Sequence, residues 1–170
     1  KYTNVGSLKE TDFEAVESLN PDLIIIGGRQ AEDIDSFKEI APTVNLAVDG
    51  QDSMNSFKTV VTDLGNLFDK QDEAKKVIDE IEAKIAKVNK TVTEKGLTAS
   101  VVMANEGSIS AFSAKSRYGL IYNGLGFTEA DKNIDDSTHG QQVSFEYFLE
   151  NKSDYVFVVD RGAVTGKGEA

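Results

Sequence analysis

The 170-residue chain is predicted to adopt an α/β fold, built as two related lobes with a long helix between them. Three observations predict it. Short helical stretches alternate with apolar runs in both halves, which is the grammar of α/β architecture. A segment of the first half, "FEAVESLNPDLIIIGGR" (13–29), lies without a gap over "FEYFLENKSDYVFVVDR" (145–161) of the second, at a constant offset of 132 residues. Between the copies, residues 52–95 contain no Pro and a single Gly. The repeat rests on four identities in seventeen positions, Phe13 with Phe145, Glu14 with Glu146, Asp22 with Asp154 and Arg29 with Arg161. Four identities alone are thin; the shared helix-then-strand order and the matched Arg carry the inference of a duplicated unit.

The elements follow in chain order. "TDFEAVESLN" (11–20) has Thr11 or Asp12 as N-cap, apolar Phe13, Val16 and Leu19 at helical spacing, and Pro21 as terminator. "DLIIIGG" (22–28) is a strand, apolar throughout as in sheets covered on both faces. A short helix over 31–40 is closed by Pro42, and "TVNLAV" (43–48) is the next strand. Residues 52–68 form one amphipathic helix. Residues 71–96 form a second, with apolar Ala74, Val77, Ile78, Ile81, Ile85 and Val88 and with Gly96 as C-cap. At 1.5 Å per residue, roughly 25 residues span ~37 Å. Such a helix suits a surface or coiled-coil arm, or a strut joining two lobes; the repeat supports the strut. "TASVVMA" (98–104) and "SISAF" (108–112) are strands around the turn "NEG", and 117–126 is a short helix. Residues 144–151 and 154–160 are the second helix–strand copy. The expected division is a lobe over 1–70, a helix over 71–96 and a lobe over 97–170. Both lobes are expected to be incomplete, since the chain starts at Lys1 and stops just after a strand-like run. Any leader or lipid anchor would lie outside the segment.

Composition excludes several functions. A formal net charge of −11 and a pI near 4.5 argue against a nucleic-acid surface, which needs a basic footprint. No stretch approaches the ~20 apolar residues of a membrane span. Zero Cys excludes disulfides, thiolate metal sites and Cys nucleophiles. There is no GxSxG, GxxxxGK[ST] or GxGxxG; "VTGKGEA" (164–170) has Gly-Lys without the phosphate-loop spacing. Nothing makes a positive case for catalysis.

The residues that could hold a ligand are few. Ligands of parallel α/β sheets sit outside the carboxyl ends of the strands. Arg29 and Arg161 both follow such strands, one in each half. They are either two unrelated surface cations or two cations facing one cleft, and the repeat favours the cleft. Arg117 in "SAKSRYG" stands at a loop–helix junction, as an exposed helix-start residue or a third ligand contact. His139, the only His, lies in the turn-rich "DDSTHGQQ" (135–142). A lone loop His is more often solvated than ligating, and no HxH, HExxH or CxxC spacing supports a protein-only metal site. It could still add one ligand to a metal held by a chelator. Glu14 and Glu146 lie in the first turns of the two helix copies. There a carboxylate gains ~0.3–1 kcal/mol from the helix dipole; a shared docking role for both halves is the sharper alternative. Asp160 stands next to Arg161 as a possible orienting partner, although adjacent strand residues point to opposite faces.

Several stretches resemble one family. They are "NVGSLKETDFEAVESLNPDLIIIGGRQ" (4–30), "FKEIAPTV" (37–44), "VMANEGSISAFSAKSRYGLI" (102–121), "STHGQQVSFEYF" (137–148) and "DYVFVVDRG" (154–162). They are similar to the solute-binding lipoproteins of ABC importers for ferric siderophores, and in particular to the catecholate branch. "KSRYG", "STHGQ" and "VDRG" in that order are the specific part. The resemblance implies two Rossmann-like lobes joined by a single long helix, and a ligand held between them. It implies that Arg29, Arg117 and Arg161 contact catecholate oxygens, that His139 ligates iron, and that Glu14 and Glu146 dock the two halves of a permease. It implies no intrinsic cofactor, Fe(III) arriving only as the siderophore complex, a monomeric protein at the cell surface or in the periplasm, and a lipid anchor as the only membrane contact. The family's Tyr ligand has no match among Tyr2, Tyr118, Tyr122, Tyr147 and Tyr155. The chemistry fits: a ferric tris-catecholate carries about three negative charges on six oxygens, and the weakly hydrated guanidinium suits such oxyanions. Other readings are a binder of a hydroxamate siderophore, haem or a corrinoid, or an enzyme or interaction domain on a related scaffold.

Overall fold

A computed structural model describes residues 2–7 and 9–166, so the end of the Gly-Lys stretch lies outside the described residues. The chain separates into two compact units, Lys1–Val48 and Asp49–Ala170.

In the first unit, helix α1 (Phe13–Ser18) begins where Asp12 accepts a hydrogen bond from Ala15 N at 2.9 Å, so Asp12 is the N-cap. Strand β1 (Ile24–Ile26) follows, then a 3-10 helix (Gly28–Asp33), helix α2 (Ile34–Ile40) and strand β2 (Thr43–Asn45). β1 and β2 pair in parallel, Ile24 opposite Thr43. Val16, Ile24, Ile26, Phe37 and Ala41 form the core, and the Phe13 and Phe37 rings meet at 4.9 Å. The expectation that β1 is covered on both faces needs correcting. Ile24 and Ile26 are buried, whereas Ile25 is 48% exposed, because this unit's helices cover one face of the two-stranded sheet. The expected 31–40 helix is split, its first turns being tighter 3-10 geometry that takes in Arg29.

The second unit opens with α3 (Ser53–Leu67) and α4 (Gln71–Lys95) packed against each other. Their crossing explains the lone Gly of this stretch: a Cβ on Gly65 would stand 2.7 Å from Ala74 Cβ. On α4 the half-buried stripe is Ala74, Ile78, Ile81, Ile85 and Asn89, leading to buried Val92. That is helical periodicity; Val77 and Val88 fall off it and are exposed. Gly96 ends α4 at φ 61°, the left-handed C-cap expected of it.

Strand β3 (Thr98–Asn105) is the centre of the following sheet. It pairs antiparallel with β4 (Ser108–Phe112) and in parallel with β5 (Thr128–Glu129) and β7 (Tyr155–Asp160); β6 (Gln141–Val143) extends the sheet beyond β4. Glu106 and Gly107 form the β3–β4 turn, both at positive φ, as a two-residue hairpin requires. The sequence missed β5, β6 and α6 (Arg161–Thr165). It placed a helix over 117–126 where a π-helical turn (Leu120–Gly124) forms, and one over 144–151 where α5 (Tyr147–Glu150) is a single turn. The repeat holds in element order but not in packing: Phe13 is half-buried on Phe37, whereas Phe145 is 73% exposed.

Tyr122 locks the π-helical turn to the sheet. Its buried hydroxyl accepts from Val101 N at 3.1 Å and donates to Phe112 O at 3.2 Å. Burial pushes this phenol up to about 12. The neutral form therefore contributes stability that is complete below the ordinary tyrosine value near ~10 and is lost as pH rises towards 12. Tyr122→Phe leaves the Val101 N–H without that partner and is expected to cost about 1–3 kcal/mol. Urea unfolding of the full-length variant measures it; unchanged stability would mean that water replaces the hydroxyl.

Candidate functional site

Arg117 and His139 stand on two loops that the fold ties together. The first loop leaves β4 at Phe112. Buried Ser113 starts it, Glu129 of β5 accepts Ala114 N at 2.7 Å, and Asn123 of the π-helical turn donates to Ala114 O at 2.9 Å. The chain then turns back through Ser116, whose carbonyl accepts Gly119 N at 2.9 Å, and this leaves Arg117 exposed at the apex. Its guanidinium lies 5.8 Å from the Phe112 ring centroid and 5.9 Å from that of Tyr118. Those two rings meet edge-to-face at 4.8 Å, so Arg117 rests on an aromatic corner.

The second loop precedes β6. Asp136 accepts the Ser113 hydroxyl at 2.7 Å and the Lys115 ammonium at 2.9 Å. The Lys115 hydrogen bond, then that of Ser113, holds the Asp136 carboxyl below the usual carboxylate range. Its stabilising contribution is thus complete above ~3.9 and is lost only as pH falls through the lower folded value. Arg117 Nη2 donates to the Thr138 carbonyl. His139 follows, exposed, its backbone N–H donating to Ser137 Oγ at 3.3 Å. Gly140 closes the loop at φ 77°, and a Cβ there would meet Ala111 O and the Phe112 ring at 2.8 Å. A cation and an imidazole are thereby displayed on neighbouring loops, both braced by Phe112. A cavity of about 300 Å³ opens beside Arg117, lined also by Lys115, Asp136, Thr138 and residues 49–51. Among the described residues no group of three or more His, Cys, Asp or Glu is arranged to hold a metal. His139 could add one ligand to a metal that brings its own.

The remaining expected residues stand elsewhere. Arg161 is the first residue of α6, immediately after β7, and Asp160 caps that helix by accepting from Ala163 N at 2.9 Å. In register, Asp160 pairs with Ala104 of β3, whereas Phe112 pairs with Val101. Arg29, in the first unit, occupies the matching place: the second residue of the helical turn after β1. Both Args are exposed. Glu14 is exposed in the first turn of α1. Glu146 is not in the first turn of its helix; it stands at the N-cap of α5. The Ser144 hydroxyl and its own backbone hold the Glu146 carboxyl below the usual range. Sequence reasoning missed Asp136, Thr138 and Phe112, which assemble the two loops.

The family model described as "Periplasmic binding protein" matches residues 1–170. The petrobactin-binding protein YclQ of Bacillus subtilis is 50% identical over 167 residues, 98% of this chain and 53% of its own. Its crystal structure superposes with a TM-score of 0.91 at 48% identity, covering 99% of this chain and 59% of that one. The ferric-anguibactin-binding protein FatB of Vibrio anguillarum is 34% identical over 166 residues, 95% of this chain and 52% of its own. The catecholate-siderophore binding protein VctP of Vibrio cholerae has a TM-score of 0.91 at 33% identity, covering 99% of this chain and 61% of that one. The chain spans about half the length of the curated relatives it matches.

Gly140→Ala tests how tightly the second loop is built. The left-handed backbone alone costs a non-glycine roughly 1–2 kcal/mol, and the contact with Phe112 adds to it. Chemical denaturation of the full-length variant should show a loss of at least that size; stability within experimental error of wild type would mean that the loop relaxes freely.

Proposed function

This chain belongs to the periplasmic binding protein family, and from that premise we propose that the complete protein is the substrate-binding component of an ABC-type iron importer. Its ligand is a ferric catecholate siderophore, with Fe(III) as cargo and no resident cofactor. The observation that carries the reading is the Arg117–Thr138–His139 arrangement, a cation on an aromatic corner beside an exposed imidazole. The ligands for which the relatives are named support it: petrobactin, ferric anguibactin and a catecholate siderophore.

The proposed division of labour follows from ligand chemistry. Catecholate oxygens bound to Fe(III) keep negative charge, and Arg offers several donors while staying charged at every relevant pH. Arg29, Arg117 and Arg161 are proposed to donate to those oxygens. Fe(III) is hard and prefers oxygen, so His139 would reach the iron only where a tetradentate chelator leaves positions open. In the complete protein α4 is proposed as the strut between lobes that include residues 1–70 and 97–170. The place of action is extracytoplasmic, with a lipid anchor outside this segment, a monomeric state, and a permease of two transmembrane halves as partner.

Arg29→Ala, Arg117→Ala and Arg161→Ala in the full-length protein should each weaken a ferric catecholate by ~1.5–3 kcal/mol, the range for hydrogen bonds to charged groups. All three are exposed, so folding should survive. Fluorescence titration measures the affinities; wild-type binding by all three variants would refute the assignment.

Glu14 and Glu146 are proposed to dock the permease, one per half, in Arg-containing pockets. Glu14→Arg and Glu146→Arg should leave siderophore affinity unchanged and reduce uptake by cells. Normal uptake in both would leave these glutamates as helix-start residues only.

A further inference from the structure

Exposure leaves the placement of His139 to its backbone, and Asp136 is the residue that pins that backbone to the rest of the unit. Both Asp136 oxygens are used, one by the buried Ser113 hydroxyl at 2.7 Å and one by the Lys115 ammonium at 2.9 Å. Ser113 and Lys115 belong to the loop that ends in Arg117, and Asp136 stands three residues before His139. A second tie joins the same two loops one residue from His139, where Arg117 donates to the Thr138 carbonyl. Gly140, packed on Phe112, closes the segment on the other side. His139 is thus fixed from both directions, by contacts to the Arg117 loop on one side and to the end of β4 on the other. The Lys115–Asp136 pair is solvent-exposed, with side chains 78% and 46% accessible. Such pairs add little to stability, so the gain from this one is geometric.

We propose that Asp136 is a positioning residue for the ligand site. Its clamp on Ser113 and Lys115 sets His139 and Arg117 at a fixed separation, so that both engage one ferric chelate. This inference rests on the function proposed above. It also assigns a reason for the order of residues in "STHGQ": the carbonyl before the His is held by the Arg, and the Gly after it lets the loop close on Phe112.

The experiment uses the full-length protein, with ferric complexes of a tetradentate bis-catecholate and a hexadentate tris-catecholate as probes. Asp136→Ala should weaken the tetradentate complex about tenfold, the size of an ordinary coupling between residues in one network. The hexadentate complex, which leaves no iron position open, should lose less. In a His139→Ala background most of the Asp136→Ala effect on the tetradentate complex should vanish, because Asp136 acts through His139. Hydrogen exchange supplies an independent readout: amides of 137–140 should exchange faster in Asp136→Ala while β3 amides keep their protection. Ser113→Ala, which removes one tie only, should change both readouts in the same direction and by less. Equal losses for the two probes, or effects additive with His139→Ala, would overturn the proposal. If wild-type protein binds neither probe, the importer reading fails instead. Exchange at 137–140 then decides the clamp alone, and rates unchanged by Asp136→Ala would overturn it.

Discussion

The first half of strand β3 is dry on both faces, and that constraint orders the second unit. Ala99, Ser100, Val101 and Val102 are each 3% exposed or less. Alternate residues feed two cores, Val101 joining Phe112, Tyr122 and Phe127, and Val102 joining Ala111 and Ile134. A strand buried this way satisfies its backbone through neighbours, here β4, β5 and β7. It cannot hold an ionised side chain without large cost. The candidate ligand residues of this unit stand where the chain has left the sheet: Arg117 after β4, His139 before β6, Arg161 after β7. Function on loops held by a rigid scaffold is the general outcome of that arrangement.

The same logic explains how a chain with a net charge of −11 can display exposed cations. Arg117 sits on the faces of two aromatic rings and donates to a backbone carbonyl. Asp136, a carboxylate against that loop, is engaged by Lys115 and Ser113, and Glu129 accepts the Ala114 N–H. Pairing Asp136 with Lys115 lets the guanidinium keep its charge available. Arg29 and Arg161 obey a second rule, each standing in the first helical turn after a parallel strand.

The α/β class, the long helix and its Gly96 cap were legible in the sequence because they rest on periodicity and local backbone preference. So was the β3–β4 hairpin, from "NEG". Short elements were not. β6 is three residues with two Gln, and only its partner β4 makes it a strand. α6 follows "VVD" with Gly and Thr inside it, and its one signal was Asp160 placed to cap Ala163. Candidate residues could be named one at a time from their places after strands and in turns. The bond from Arg117 to Thr138, 21 residues apart, depends on the register of β4 with β6, which no local pattern encodes. Glu146 shows the limit of the repeat: the copy predicts a helix from 144, yet exposed Phe145 finds no counterpart to Phe37 and the helix begins only after Glu146.

The most direct test is a fluorescence-quench titration of the full-length wild-type protein against ferric catecholates and ferric hydroxamates under one buffer condition. The account predicts tight, saturable binding of the catecholates and weak or no binding of the hydroxamates, since the latter bring fewer anionic oxygens to the arginines. Equal or tighter binding of the hydroxamates would contradict it.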